Sequence, residues 1–357
     1  MKLLKEIEEK NSERENKVLA VRFSAVGDVA IAAIVIRALV EQNKSVKVTV
    51  VSKEKLKPTF RDIPRVDFYG AKTTGKHKGF LGLFRLALEL REKKFTTIAD
   101  LHNSLRAKFI RTLLNVKCAK IDKGRKEKNK IASSKNQNPK QLKTTHERYA
   151  NVFRALGWEI DLDKLKKLRP NTISKKVSDL LADKHSKYIG IAPFASCVSK
   201  CYPLDLVDEL IDELLKNPNS KIILLGSGEK EIGKLREIAK KNKRIYYNGG
   251  ELNLEQELEL ISRLDCMVSM DSSNGHFASI YGVNTVILWG STHPCFGFSP
   301  FRHDNKNSLF PDQVKYPLLP YSIHGRRKLK GYENAMRTIR PADVRNRVNE
   351  IIYPKIS

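Results

Sequence analysis

The chain has 357 residues, 41% of them hydrophobic, and carries 67 Lys and Arg against 40 Asp and Glu, a net charge of +27. That apolar content excludes wholesale disorder, and the length favours two cores over one. A field of this sign selects polyanions: nucleic acid, an anionic membrane surface or a phosphorylated glycolipid. Apolar runs stay short of the ~18 residues of a membrane span, and the longest candidate, Ile31 to Val40, contains Arg37. The N-terminus mixes both charges without an apolar h-region, so the expectation is no signal peptide and a cytoplasmic location. Five cysteines at no framework spacing are expected to be reduced thiols, because Cys197-x-x-x-Cys201 lacks the second ligand pair of a closed zinc site.

Residues 1–16 read as a polar helical extension. Val18 to Phe23 is a buried-strand pattern, and Ser24 to Gly27 turns the chain. Asp28 opens a helix to about Asn43 whose Val29, Ala32, Ala33, Ile36, Leu39 and Val40 share one face. With the strand Val46 to Val51 this makes a βαβ unit, the start of a doubly wound sheet. It lacks the G-x-G-x-x-G fingerprint of a nicotinamide or flavin enzyme. Gly79 to Lys93 is an amphipathic helix, Thr96 to His102 a strand with a polar carboxyl end, and Asn103 to Leu114 a helix. Lys117 to Lys143, with ten Lys or Arg against two acids, predicts a basic mobile loop. Thr145 to Leu156 returns to helix, and the polar stretch Leu165 to Lys176, interrupted by Pro170, reads as the interdomain linker.

A second α/β half follows, with strand Tyr188 to Ala192, a polar loop through Lys200 to Pro203, helix Leu204 to Leu215 and strand Lys221 to Leu225. Gly226-Ser-Gly-Glu229 turns into another helix, and Leu254 to Arg263 is helical. Met267 to Met270 is a short apolar strand, Ser272 to Gly275 a polar turn, and a helix then runs to Tyr281, stopped by Gly282. Val283 to Trp289 is the next buried strand, ending in Gly290-Ser-Thr. Past Pro300 the pattern weakens into a Pro-, His- and Arg-rich loop to about Tyr332, and Pro341 to Ile352 closes the chain as a helix.

The turn after Met270 carries the strongest chemical signal. At the carboxyl end of a strand in an α/β sheet, the free N–H groups of a starting helix suit a phosphate or diphosphate. The same residues also fit an ordinary turn capped by Asp271 or Ser272. Charge alone would fit a nucleic-acid-binding protein, but no groove-reading or base-stacking module is present. A nucleotide-sugar hydrolase or epimerase of related fold is the other enzymatic reading.

Asp271-Ser-Ser-Asn-Gly-His276, with Gly282-Val-Asn-Thr285 and Gly290-Ser-Thr-His-Pro294, resembles the donor-site signature of glycosyltransferase family 9, the lipopolysaccharide heptosyltransferase family. Its pattern runs Asp-(Ser/Thr)-Gly-x-x-His, then Gly-Val-Pro-Thr, then Gly-x-Thr-x-Pro; here Ser273 stands at the motif's glycine and Asn284 at its proline. Arg22-Phe-Ser-Ala-Val-Gly-Asp28 is similar to the family's opening signature, and Lys200 in Ser199-Lys-Cys-Tyr-Pro203 matches its Lys-x-(Trp/Tyr)-Pro. The resemblance implies a GT-B fold of two doubly wound Rossmann-like domains facing across a cleft. Residues 1–170 would be the acceptor-binding domain and 177–339 the nucleotide-sugar domain, with the last helix, 340–357, packing back on the first.

It also implies an inverting, metal-independent transfer of a sugar, heptose from ADP-heptose, onto a lipopolysaccharide core acceptor, with no cofactor beyond the nucleotide-sugar donor. Asp28 would be the catalytic base. Lys200, Ser272, Ser273, Asn274, Gly275 and His276 would hold the donor diphosphate. Gly226, Glu251 and Glu255 are candidates for the nucleotide pocket, and His102 and Asn103 for the acceptor. The expected partners are a nucleotide sugar, an anionic glycolipid and the anionic inner membrane surface, which residues 117–143, Arg326 to Lys328 and Arg337 to Arg347 would attract. No specific nucleic acid is expected.

Overall fold

The computed structural model describes residues 16–134, 139–168, 170 and 172–354; the extension expected at residues 1–15 lies outside them. The chain divides into two compact units, Met1–Lys123 with Thr145–Lys166, and Gly124–Thr144 with Lys167–Ser357. The division at Lys166 falls inside the expected linker.

The first unit runs β1 (Asn16–Val21), α1 (Val26–Gln42), β2 (Val46–Lys53), β3 (Val66–Ala71), α2 (Gly79–Arg91), β4 (Thr97–Asp100), α3 (Leu105–Leu114) and β5 (Lys117–Lys120). Its five strands lie parallel in the order β3-β2-β1-β4-β5. Central β1 is wholly apolar from Val18 to Val21, as a strand covered on both faces must be. Ala20 stands opposite Val50 on one side and Ala99 on the other. The chain winds outward from β1 to β3, then returns to the other side of β1 as β4, so the topological switch point lies between β1 and β4. Loops at the carboxyl ends of such a pair diverge and leave a crevice for a ligand. Helix α1 is buried from Val29 to Val40 without interruption. Its Arg37 is tolerated because Glu41 lies 3.1 Å away and the carbonyl of Lys166 accepts from its guanidinium.

Residues 117–134 and 139–143 are not the mobile loop the charge pattern predicts; 135–138, part of the same expected loop, lie outside the described residues. Lys117–Lys120 pairs in parallel with Thr97–Asp100 as edge strand β5, a place where lysines are compatible with a sheet because the outer edge faces water. Arg125–Ser133 forms α4, which belongs to the second unit. Lys128 is buried there with its Nζ 4.0 Å from the centre of the Phe298 ring, and the Leu142 amide donates to the Cys295 carbonyl at 2.9 Å. Long lysine stems can lie along apolar surface, so a high charge count does not by itself exclude docking. The chain returns to the first unit as α5 (Thr145–Arg154).

The second unit continues with α6 (Lys175–Leu180), β6 (Lys187–Ala192), α7 (Leu204–Leu215), β7 (Ser220–Leu224), α8 (Glu229–Ala239), β8 (Ile245–Tyr247), α9 (Leu254–Ile261), β9 (Cys266–Met270), α10 (Ser273–Ile280), β10 (Thr285–Leu288), β11 (Ser308–Leu309) and α11 (Pro341–Ile352). The six strands are parallel in the order β11-β10-β9-β6-β7-β8, which puts the switch point between β6 and β9. Val268 pairs with Ile191 and Val286 across that centre. Gly282 takes φ +68° and ends α10 as expected.

Helix α11 differs from the expectation that it packs back on the first half. It packs on α7, and its Val344 and Val348 join the core of the second unit with Leu210 and Leu214. A helix docks where its apolar stripe finds a matching one, and α7 offers Leu206, Val207, Leu210, Ile211, Leu214 and Leu215 at helical spacing.

Candidate functional site

In the first unit the switch point gathers Arg22, Asp28 and His102. Arg22 leaves the end of buried β1 and is itself buried. It donates to the Leu101 carbonyl at 2.7 Å and forms an ion pair with Oδ2 of Asp28. The same Oδ2 accepts the Ala25 amide at 3.1 Å, the reciprocal bond of a helix start. Oδ1 has no protein partner among the described residues, and the side chain keeps 25% of its surface in solvent. One oxygen is therefore held and the other is available. Asp28 is thus more than a first-turn helix residue: it is a carboxylate with a fixed orientation and an open lone pair, which is what a proton acceptor requires.

His102 and Asn103 are brought to the same end of the sheet by Asp100, whose buried carboxylate accepts from both their amides at 3.0 and 2.6 Å and from Arg111 at 2.7 Å. His102 Nδ1 accepts the Phe23 amide at 3.4 Å, which leaves Nε2 as the protonated nitrogen of the neutral ring. Burial, followed by the nearby Arg22 guanidinium, pushes its pKa down to about 4. Arg22 also lies 5.7 Å from the centre of the Tyr149 ring. Tyr149, on α5, is fully buried, its hydroxyl has no hydrogen-bond partner among the described residues, and burial raises its pKa well above the ordinary phenol value. Sequence reasoning assigned no role to Arg22, Asp100, Arg111 or Tyr149. An arginine closing an otherwise apolar strand was the one readable signal.

In the second unit the loops after β6 and β9 meet at the other switch point. Lys200, in a 3-10 turn at Val198–Lys200, is only 6% exposed, and its Nζ lies 2.7 Å from the Asp271 carbonyl and 3.2 Å from Asp271 Oδ2. The sequence brings Lys200 to the expected turn, but in this structure Asp271 engages its charge. Asp271 is thereby not the cap of α10. Ser272 occupies the N-cap position in an extended conformation, and its hydroxyl pairs with Ser269 at 3.1 Å rather than capping. Among the described residues no side-chain acceptor caps the first-turn N–H groups of α10, the condition under which a helix start suits an anion. Ser273 and Asn274 are half-buried on that turn, and His276 is buried. Gly275 faces inward: a Cβ there would stand 3.0 Å from Ile287 Cδ1, so its role is close helix–sheet packing.

The Gly290-Ser-Thr stretch is explained by backbone contact. A Cβ on Gly290 would lie 2.1 Å from the Ser199 carbonyl oxygen, and the Ser291 amide donates to that carbonyl at 3.1 Å. Ser199 and Ser291 also share a hydroxyl contact of 2.8 Å. The loop after β10 thus fixes the turn that carries Lys200. Gly290→Ala is expected to destabilise the second unit by about 3 kcal/mol, because backbone cannot yield as a side-chain tip can. Urea unfolding with midpoints unchanged from wild type would refute this.

The expected nucleotide candidates are placed less favourably. Gly226 sits under Leu235 and Phe194, where a Cβ would come within 2.9 and 3.3 Å. Glu251 is exposed and paired with Lys176 at 3.4 Å, and Glu255 is exposed. The carboxylate that is half-buried here is Glu257, two residues beyond Glu255 on the same helix. It accepts from Asn248 Nδ2 at 2.9 Å, and burial raises its pKa. Among the described residues no group of three His, Cys, Asp or Glu side chains is placed to hold a metal ion, and the five cysteines are free thiols.

Three histidines give the protein an acid sensitivity. Burial lowers His102, His293 and His303 to about 4. Each binds its proton in the unfolded chain near pH 6.5 but in the folded one only near pH 4, so stability present above pH 6.5 is lost as the pH falls between those values. The slope is about 1.4 kcal/mol per pH unit for each histidine. His303 bridges Thr285 and Ser308 at 2.9 Å each. In His303→Gln, which can keep both bonds, the fall of Tm from pH 6.5 to 4 is expected to be shallower than in wild type; an identical fall would exclude His303.

Two all-parallel doubly wound sheets, each with polar turns at its switch point, define an α/β protein of the GT-B class. Solved structures agree on that fold. A family 9 glycosyltransferase from Veillonella parvula superposes with a TM-score of 0.72 at 16% identity, covering 95% of this chain and 97% of that one. The ADP-heptose lipopolysaccharide heptosyltransferase II of E. coli gives 0.68 at 18% identity, over 96% and 100%. The E. coli heptosyltransferase WaaC with ADP gives 0.65 at 16%, over 94% and 99%. The chain belongs to glycosyltransferase family 9 (heptosyltransferase), whose sequence model matches residues 83–316, and it is a glycosyltransferase. A Campylobacter coli protein named lipopolysaccharide heptosyltransferase 1 is 23% identical over 297 residues, 77% of this chain and 84% of that protein.

Proposed function

We propose that the protein transfers heptose from ADP-heptose to a hydroxyl of a lipopolysaccharide core acceptor, with inversion at the anomeric carbon and without a metal ion. The observation that carries this reading is the Asp28 carboxylate, held at the β1–β4 switch point through one oxygen and open at the other. The acceptor oxygen attacks the anomeric carbon, the bond from that carbon to the diphosphate breaks, Oδ1 of Asp28 takes the hydroxyl proton, and ADP leaves. The leaving diphosphate gains negative charge, and the uncapped first turn of α10, Ser272 to Gly275, supplies N–H donors aimed at such charge. Lys200 adds a cation if the diphosphate displaces or joins Asp271 as its partner. His102, neutral above pH 4, and Asn103 are the acceptor contacts. Glu257 with Asn248 replaces Glu251 and Glu255 as the better nucleotide contact, because it is the half-buried carboxylate of that helix.

The Campylobacter relative's name and the E. coli neighbours' titles support the heptose and the lipopolysaccharide, and the ADP in those titles supports adenine as the donor base. The enzyme would act at the cytoplasmic face of the membrane, where its net charge of +27 favours an anionic acceptor and an anionic leaflet. Calorimetric titration with ADP, UDP, GDP and CDP in the absence of metal tests the donor. Selective ADP binding is expected. Preference for another base would discard ADP-heptose, and binding of none of the four would remove the donor site.

A further inference from the structure

Outside the two switch points, the most unusual surface is an apolar one on the first unit. On α2, Phe80 is 70% and Leu81 82% exposed, and Phe84 and Leu88 continue the stripe at helical spacing. On α3, Leu105 is 87% exposed. Phe109, one turn further along α3, packs edge-on against Phe80 with ring centres 4.9 Å apart, which joins the two stripes into one patch. Isolated exposed leucines on a soluble protein need no explanation, but a contiguous patch does.

The border of the patch is cationic. Lys78 precedes Phe80, while Arg106 and Lys108 flank the apolar residues of α3, and all three are exposed. The only acid on either helix is Glu89. It is already engaged by Tyr69, by Lys76 at 3.1 Å, by His77 at 3.1 Å and by Arg85 at 3.4 Å. That hub also fixes α2 to β3, and Gly82 packs so tightly on the His77 backbone that a Cβ would come within 2.4 Å. The patch is therefore presented on a rigid helix pair.

We propose that the α2–α3 patch inserts into the surface of an anionic phospholipid bilayer. Large apolar side chains entering the headgroup–acyl boundary, ringed by Lys and Arg that meet lipid phosphates, are the combination such a surface binds. A second copy of the chain is disfavoured as the occupant, because a two-fold contact would bring Lys78, Arg106 and Lys108 of both copies together. The location gives the insertion a purpose, resting on the reading of a lipid-anchored acceptor. Leu105 lies two residues beyond Asn103, at the same sheet end as Asp28. Docking by this patch brings headgroup-level sugars to the reacting carboxylate and leaves the lipid chains in the membrane.

The test is co-sedimentation of the full chain with phosphatidylcholine vesicles, with and without phosphatidylglycerol. Wild type is expected to bind the anionic vesicles, less tightly at high salt. Phe80→Ser/Leu81→Ser is expected to bind them at least ~10-fold more weakly, since each large side chain transferred contributes about that factor. Its transfer to a water-soluble, delipidated acceptor should stay at the wild-type rate, which shows the fold intact. Leu81→Trp should show a blue-shifted emission on anionic vesicles alone. Equal vesicle binding by wild type and the double variant overturns the inference. So does a wild-type dimer that Leu81→Ser dissolves, with no vesicle binding. Absence of vesicle binding alongside normal transfer removes this surface and leaves the proposed reaction standing.

Discussion

Asp28→Asn is expected to lower kcat by about 10³-fold, the middle of the range for loss of a general base, and to leave ADP binding unchanged. Asparagine has the same size, and its carbonyl oxygen can still accept the Ala25 amide that Oδ2 accepts at 3.1 Å. What disappears is a lone pair basic enough to take the acceptor's proton. The substitution has a second consequence, because Arg22 is buried and loses its counter-ion. A buried charge deprived of its partner destabilises a fold by several kcal/mol. The Leu101 carbonyl and the Tyr149 ring remain to satisfy part of the guanidinium, which limits that loss. The measurement is therefore paired: steady-state kinetics with saturating donor, and a Tm for the same preparation. A folded variant with kcat within a few-fold of wild type would remove Asp28 from the chemistry. A fall in kcat together with weaker ADP binding would instead indicate a disturbed fold.

Lys200 calls for a different design, because two roles are superimposed on it. Its ion pair with Asp271 is almost fully buried, with 8% and 10% of the two side chains exposed. Lys200→Met is expected to destabilise the second unit by about 3–5 kcal/mol by stranding Asp271. It is also expected to weaken ADP binding. Lys200→Met with Asp271→Asn should recover most of the stability, because no charge is then left unpaired, but not the ADP affinity. Denaturant titration and calorimetry on both variants separate the roles. If the double variant binds ADP as wild type does, Lys200 is structural and the first turn of α10 holds the phosphates by itself. If neither variant loses stability, the ion pair contributes nothing to the fold.

Much of this protein was legible from its sequence because strands and helices announce themselves by period. The buried strand at Val18, the long helix after it and the helix Leu204 to Leu215 all appear where the apolar spacing puts them. Gly282 stops α10 because a left-handed residue is needed there and glycine adopts it without strain. The candidate site residues were chosen on the same ground. Asp28, His102, Asn103, Lys200 and the Ser272–His276 turn each follow a strand end, and a doubly wound sheet collects its strand-end loops at its switch points. Where the reading failed, side-chain composition was mistaken for local structure. The lysine-rich stretch after Leu114 became an edge strand and a docked helix, because a strand edge needs backbone partners and a lysine stem can pack.

By itself, then, the sequence determined the alternation of strands and helices, the polar turns at their carboxyl ends and the family. These are encoded within short windows by spacing, capping and turn residues. Only the tertiary structure decided which charges meet. Arg22 reaches Leu101 and Asp28, Asp100 gathers the amides of His102 and Asn103, and Lys200 finds Asp271 across 71 positions of chain. Pairings of that kind depend on strand order, which places β4 beside β1 and β9 beside β6, and no local window contains strand order. The same holds for the apolar patch. The period of α2 calls for a buried face, and only the packed fold shows that Phe80 and Leu81 are left outside it.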